Sequence, residues 1–448
     1  MNKKLWQKND SKLHPLIESY TVGEDYVWDK EIILYDIEAS LAHARGLEKI
    51  NILSVDELEK IKIALEELKF DWNSGKIEIT IQDEDCHTVI ENYLVDKLGG
   101  VGKKIHTGRS RNDQVLVAMR IYMKDSLEKI KKSALELSQT FLFQAEKYKD
   151  MPMPGYSHTQ QAMLSSVGHY YASFVESLLD DIEFLESVKK QLDKSPLGSA
   201  AGFGVSLPLE REFVADELDF AGVQVNSLYC QNSKGKFESL FLESLSQVMT
   251  TLNKFSTDML LFTSQEFNFF EVDSSLTTGS SIMPHKKNLD VLEIVRGNTS
   301  VIMSNQFLIK DLFKNLMSGY NRDSQLVKKS LFESTKIVQS SLEVIKLFLE
   351  NVSPKKDEIA KKINKQIFMA DIANESVVKQ GIPFRDAYVQ AKSARNASAS
   401  VAGGDKLDEL DIDLQENLKS KVSLGAPGNL GLDMYKGRIN NCISEDLC

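Results

Sequence analysis

Residues 114–148 read "QVLVAMRIYMKDSLEKIKKSALELSQTFLFQAEKY". No proline or glycine interrupts them. Apolar side chains recur at Leu116, Met119, Met123, Leu127, Ile130, Ala134, Leu137 and Phe141. Steps of three and four mark one face of a helix packed nearly parallel to its neighbours. At 1.5 Å per residue the segment predicts a helix about 50 Å long. A second such stripe runs through Phe241, Leu245, Val248, Leu252, Phe255, Met259 and Phe262. A third holds Leu331, Val338, Leu342, Ile345 and Leu349, with Thr335 at the missing step. Helical patterns also cover about 165–190 and 290–316. The fold class is therefore mainly α, with a central bundle of long helices. Stripes this long bury poorly inside one small subunit. Val115, Ile121 and Phe143 lie off the first stripe and suggest a second buried face, so we expect oligomerisation to extend the bundle.

Outward from this bundle the pattern changes. The first 110 residues carry shorter helices and a Gly99–Gly100 break, and a third region follows Ser353–Pro354, with "GIPFRDAY" at 381–388 and "GAPGNLGL" at 425–432. We expect boundaries near 111 and 355, giving domains 1–110, 111–355 and 356–448. The best strand signal is "KIEITI" at 76–81.

Composition narrows the class. The net charge is −11, from 54 basic and 65 acidic residues, which argues against a nucleic-acid partner needing a basic face. Four scattered cysteines, Cys86, Cys230, Cys442 and Cys448, form no CxxC pair and read as reduced thiols. No apolar run approaches the length of a membrane span, and "MNKKLWQKND" lacks the apolar core of a secretory signal. A cytoplasmic protein is the expectation.

Three polar clusters stand out. "HTGRSRNDQ" (106–114) opens the first long helix. It reads either as a turn capped by Asn112 or Asp113, or as a carboxylate site in which Arg109, Ser110, Arg111 and Asn112 use a helix N-terminus. "MPGYSHTQQ" (153–161) places His158 among Ser157, Thr159 and Gln160, in the break before the next long helix. That histidine is structural or catalytic; its residue type does not decide. "GSSIMPHKKN" (279–288) joins hydroxyls, ammonium groups and an amide between Gly and Pro, and is followed by a helical pattern carrying Glu293 early. It is a surface loop or a catalytic one. No GxSxG, HExxH, Walker A or dinucleotide glycine pattern occurs, so neither a metal nor an organic cofactor is expected. The remaining chemistry is acid–base work on a small anion.

At these clusters the sequence resembles argininosuccinate lyase, of the fumarase/aspartase superfamily. "GSSIMPHKKN" is similar to the superfamily's signature loop, and "HTGRSRNDQ" to the segment distinguishing argininosuccinate lyases. "GYSHTQ", "SPLGSAAGFG", "YNRDSQ" and "GIPFRDA" match in order over nearly the whole chain. The resemblance implies a three-domain helical subunit, a homotetramer with a shared helical core, and active sites drawn from three subunits. The implied reaction is reversible elimination of argininosuccinate to arginine and fumarate, in arginine biosynthesis, without a cofactor. It implies Ser280 as base, Lys286 and Asn288 as carboxylate holders, His158 as acid or relay and Glu293 as its orienting partner. His87, Ser110, Arg111, Asn112, Ser157, Tyr320, Gln325 and Lys328 match substrate-binding positions.

The departures are specific. Leu289 and Leu164 stand where proline is common, and Ser157 where threonine is. His285, often Gln in the family, is found in adenylosuccinate lyases. "QKND" replaces the usual "GGRF" after "LW". Asp25 aligns with a substrate-contacting serine; as a carboxylate it would repel an anion, so it is left out of the expected site. The competing readings are another fumarate-releasing lyase, such as adenylosuccinate lyase, and a non-catalytic crystallin-like homologue.

Overall fold

The computed structural model describes residues 14–399 and 413–445. The "QKND" segment and Cys448 lie outside the described residues. The N-terminal helices are α1 (Pro15–Val22), α2 (Ile33–Lys49), α3 (Val55–Asn73) and α4 (Cys86–Leu98). Then come the long helices α5 (Arg111–Lys147), α6 (Val167–Leu192), α7 (Lys236–Phe262), α8 (Asp290–Phe313) and α9 (Val327–Glu350). The three apolar stripes are buried along their whole length, from Leu116 at 4% exposed to Phe262 at 7%. Off the stripe, Val115 and Ile121 are half-buried, whereas Phe143 is 62% exposed.

The chain divides into two compact units. The first takes the described residues of Met1–Lys131, Glu183–Gln247 and Ser300–Gln339; the second takes those of Lys132–Ile182, Val248–Thr299 and Ser340–Cys448.

In the first unit α3 packs on α2 and α4. Ser54 and Glu57 form a capping box that starts α3. The Asp85 carboxylate accepts the Thr88 N–H at 2.8 Å and caps α4, fixing His87 in its first turn. The cap of α5 is Ser110, not Asn112 or Asp113. Its hydroxyl accepts the Asn112 N–H at 3.3 Å and its own N–H donates to Asp113 at 2.9 Å. Asp113 also accepts the N–H groups of Gly198 (3.0 Å) and Ala200 (2.8 Å), tying the 195–204 loop to the helix start. Ala39, Ala42, Val117, Leu197, Val214 and Phe220 close the core there.

In the second unit Phe141, Phe174, Phe255 and Phe348 interlock, with Phe141–Phe255 edge-on at 5.0 Å. The expected break at 153–161 precedes α6 and is formed by a β-hairpin, β1 (Pro152–Ser157) antiparallel to β2 (Gln160–Ser166), with a register shift at Gly155/Tyr156. A shorter pair joins β3 (Phe270–Val272) to β4 (Val352–Pro354). "KIEITI" is not a strand: the segment runs irregularly, held by buried Ile79 and by Lys76 bonded back to Asp71 at 2.8 Å.

Candidate active site

The first unit holds a cavity of about 200 Å³ between the start of α5, the start of α4 and the segment leading into α9. Six of the expected substrate-binding residues line it: His87, Arg111, Asn112, Tyr320, Gln325 and Lys328. Ser110 does not; it serves as the helix cap. Arg109, expected in the anion-binding run, is buried beneath and donates to Ser40 at 2.8 Å. The lining also contains Glu84, Asp85, Lys234, Glu238 and Arg322, none of them expected from the sequence, and Asp25, which was left out of the expected site as a repelling carboxylate. Asp85 had a signal, as a capping residue two positions before His87, and Arg322 stands inside "YNRDSQ". Lys234, in "NSKGKFES", had none.

The site's charges are mostly paired. Lys328, buried, lies 2.5 Å from Asp29 and 3.1 Å from Asp25. Burial alone would lower its ammonium, but Asp29 and Asp25 outweigh burial and hold it above its ordinary value. Asp25 itself is pushed up to about 6 by burial, against the pull of Lys328. Arg322 pairs with Glu84 at 2.7 Å and donates to Gln325 at 3.0 Å; Gln325 donates to the Val22 carbonyl at 2.7 Å, holding the end of α1. Arg111 donates through Nη1 to Asp85 at 2.8 Å. His87 Nδ1 meets Asp36 at 2.6 Å, and Asp36, Asp85 and Asp29 overcome burial to raise the imidazole's pKa.

Among the described residues, Arg111 Nη2, Lys234 Nζ and His87 Nε2 line this cavity buried and without a hydrogen-bond partner; the first two are donors, and His87 Nε2 is a donor when its imidazole is protonated. Buried donors without acceptors are costly, so their gathering at one cavity points to an anionic ligand.

The second unit carries Ser157, His158, Ser280, Lys286, Asn288 and Glu293. His158 and Thr159 form the hairpin tip, both with positive φ (51° and 59°), and both are exposed with Ser157. The 279–288 loop is closed at its neck by Thr278 and Asn288, whose backbones exchange bonds of 3.0 and 2.9 Å. Inside it, Ser280 Oγ accepts the N–H groups of Met283 (3.2 Å) and Ile282 (3.4 Å). Lys286 is exposed, and Glu293 lies exposed in the first turn of α8. Among the described residues no hydrogen bond joins Glu293 to His158 in one chain.

Asp29, Cys86 and His87 bring possible metal-ligand atoms within 4.8 Å of one another. Asp29 accepts from Lys328 and from the Cys86 N–H (3.0 Å), and His87 Nδ1 faces Asp36. Burial and the adjacent carboxylates push the Cys86 thiol well up, away from the thiolate a metal prefers. No helix among the described residues is long and apolar enough to cross a membrane.

Residues 15–304 match the protein-family profile described as "Lyase". The chain is 43% identical over 388 residues to the argininosuccinate lyase of Thermotoga neapolitana, covering 87% of this chain and 97% of that protein. It is 40% identical over 438 residues to the argininosuccinate lyase of Xanthomonas campestris pv. campestris, covering 98% and 99%. In fold it is similar to EDDS lyase in complex with formate (TM-score 0.80, 19% identity, covering 97% of this chain and 90% of that one). It is also similar to class II fumarase from Schistosoma mansoni (TM-score 0.71, 16% identity, covering 89% and 94%). With helical architecture, ordered motifs and near-complete coverage in agreement, the chain belongs to the argininosuccinate lyase family of the fumarase/aspartase superfamily.

Proposed function

We propose that this protein is a carbon–nitrogen lyase catalysing the reversible elimination of argininosuccinate to L-arginine and fumarate in arginine biosynthesis. The observation that carries the reading is the cavity with three unpartnered buried nitrogens beside Asp25, Glu84 and Asp85. Argininosuccinate has carboxylates at both ends and a guanidinium between them, so it needs donors and acceptors together. His87, Ser110, Arg111, Asn112, Ser157, Tyr320, Gln325 and Lys328 serve substrate binding, Ser110 through the helix start it caps.

In the elimination Ser280 removes the proton from the carbon beside a succinyl carboxylate. The electron pair passes into that carboxylate, then returns to form the C=C bond of fumarate as the C–N bond breaks. His158 delivers the proton to the departing guanidine nitrogen, oriented by Glu293. A serine is a weak base unaided. The N–H groups of Met283 and Ile282 already donate to Ser280 Oγ, and they stabilise negative charge there. Lys286 and Asn288 hold the carboxylate as its charge grows.

As the family resemblance implies, each active site takes the hairpin tip and the loop from different subunits of a homotetramer, and their exposure in one chain leaves both open to a partner subunit. An exposed seam on α8 supports this assembly: Ile294, Gly297, Val301, Ser304 and Leu308, in steps of three and four. A Cβ at Gly297 would meet only open space. The proposed enzyme has domains 1–110, 111–355 and 356–448, works in the cytoplasm and needs no metal or organic cofactor.

The test is fumarate absorbance with the purified full chain, before and after dialysis against a chelator. Argininosuccinate should yield fumarate at the same rate in both cases. Release from adenylosuccinate alone would move the chain to that activity, and turnover of neither would leave a crystallin-like homologue.

A further inference from the structure

We infer that Lys234 is a substrate-binding residue that takes the α-carboxylate at the arginine end of the substrate; this rests on the lyase reading. Lys234 occupies the turn before α7. Its backbone is fixed by Gly235 at φ +78°, where a Cβ would stand 2.2 Å from the Phe313 ring, and by the Gly235 N–H donating to Glu238 at 2.7 Å. A side chain at 235 would be strained by this φ and would clash with Phe313, so the turn that carries Lys234 needs glycine there.

That side chain is 7% exposed and lines the cavity. Of the basic groups there, Arg111 pairs with Asp85, Arg322 with Glu84, and Lys328 with Asp25 and Asp29. Among the described residues Lys234 has no ion pair, and its Nζ has no hydrogen-bond acceptor. What it does meet is the face of Tyr320, 4.2 Å from the ring centroid. A π face is a weak substitute for an anion, contributing about 0.5–2 kcal/mol. Tyr320 is 42% exposed and lies in an irregular segment, so it is the partner able to yield to a carboxylate. Burial brings the ammonium down to about 7, against the pull of Glu238, which shows how poorly the protein alone supports this charge.

The ligand group follows from what remains. Lys286 and Asn288 are assigned to one succinyl carboxylate, and Arg111 and His87, whose free nitrogens line the same cavity, can take the second, which leaves Lys234 for the α-carboxylate of the arginine half. An amino-acid head needs a cation for its carboxylate and an acceptor for its ammonium. Lys234 and the Asp25 carboxylate, both lining this cavity, supply that pair.

L-Arginine and agmatine, which lacks only the α-carboxylate, separate this role from a structural one. Their inhibition constants are measured against argininosuccinate turnover in wild type, Lys234→Met and Lys234→Arg. Met should weaken L-arginine by about tenfold or more, leave agmatine within about twofold, and Arg should restore most of the difference. Equal losses for both ligands, no loss for either, or a loss confined to fumarate would overturn the assignment. Lys234→Gln replaces Met if Met does not fold. A wild-type chain that releases no fumarate from argininosuccinate removes the lyase reading instead. An active wild type with unchanged arginine/agmatine discrimination in the variants removes only Lys234.

Discussion

Ser280 and Asp25 show what single residues contribute. The Ser280 oxygen accepts two backbone N–H groups, which would favour negative charge at that atom if it is the proposed base. Ser280→Ala should leave calorimetric argininosuccinate binding nearly intact and lower turnover by orders of magnitude. Lys286→Met should damage both, since a charged hydrogen bond contributes about 1.5–3 kcal/mol and strengthens as charge develops. Retention of more than roughly a tenth of turnover in Ser280→Ala, a barrier change under about 1.4 kcal/mol, would remove the serine base. Asp25 makes a different prediction. Its pKa in the folded state, about 6, lies above the ordinary 3.8 because burial disfavours its charge. The folded chain therefore keeps a proton that the unfolded chain has lost, and folded stability falls as pH rises through that window. Asp25→Asn has no such proton. Wild-type stability minus that of Asp25→Asn should decline from pH 3.8 to about 6 and then level off. Urea midpoints across that range check it, and a difference that rises with pH refutes it.

At the scale of elements, the hairpin tip carries visible strain. Thr159 is β-branched yet sits at φ 59°, a left-handed conformation such residues avoid at a cost of about 1–3 kcal/mol. Thr159→Asn, with a side chain that tolerates this region, should stabilise the chain by about 1 kcal/mol despite losing the exposed hydroxyl bond to the His158 carbonyl. A lowered urea midpoint would show that the tip is not strained. This turn also marks where the sequence became illegible. The helices were readable because burial on one face imposes a period on the residues, and Leu116 through Phe141 obey it. The hairpin imposes no such period. Its strands hold Pro152, Pro154 and Gly155, residues that usually argue against strand, and its turn lacks the expected Asn-Gly. "KIEITI" erred in the opposite direction, since alternation without a partner strand does not make a sheet. The cavity was half legible for a related reason. His87, Arg111 and Tyr320 stand in motifs, whereas Lys234 reaches the cavity through a turn that leaves no pattern in one sequence, and Asp25, aligned with a substrate-contacting position, was set aside for its charge without regard to the Lys328 beside it.

For the whole molecule, the decisive surface is the one a single chain leaves uncovered. Ile294 (62% exposed), Val301 (42%) and Leu308 (43%) recur every seven residues on α8, with Phe307 (68%) beside them. Exposed apolar residues in this register suit packing against another helix rather than water. Val301→Glu places a charge in the seam without touching the buried face of α8. It should leave helical circular dichroism unchanged, reduce the particle mass seen by light scattering, and abolish turnover together with assembly. An active monomer would remove the shared-site reading. Mixed chains provide the stronger test. With Ser280 as the proposed base and His158 as the proposed acid, Ser280→Ala and His158→Asn should each be inactive alone. If each active site takes its loop and its hairpin from different subunits, some sites in a mixed tetramer receive both intact groups. Co-refolded chains should then regain a fraction of wild-type turnover that depends on the mixing ratio and vanishes at either extreme. Activity that stays at zero after subunit exchange is verified by mass would mean that the base and the acid work within one chain. The exposure of both groups would then need a different explanation.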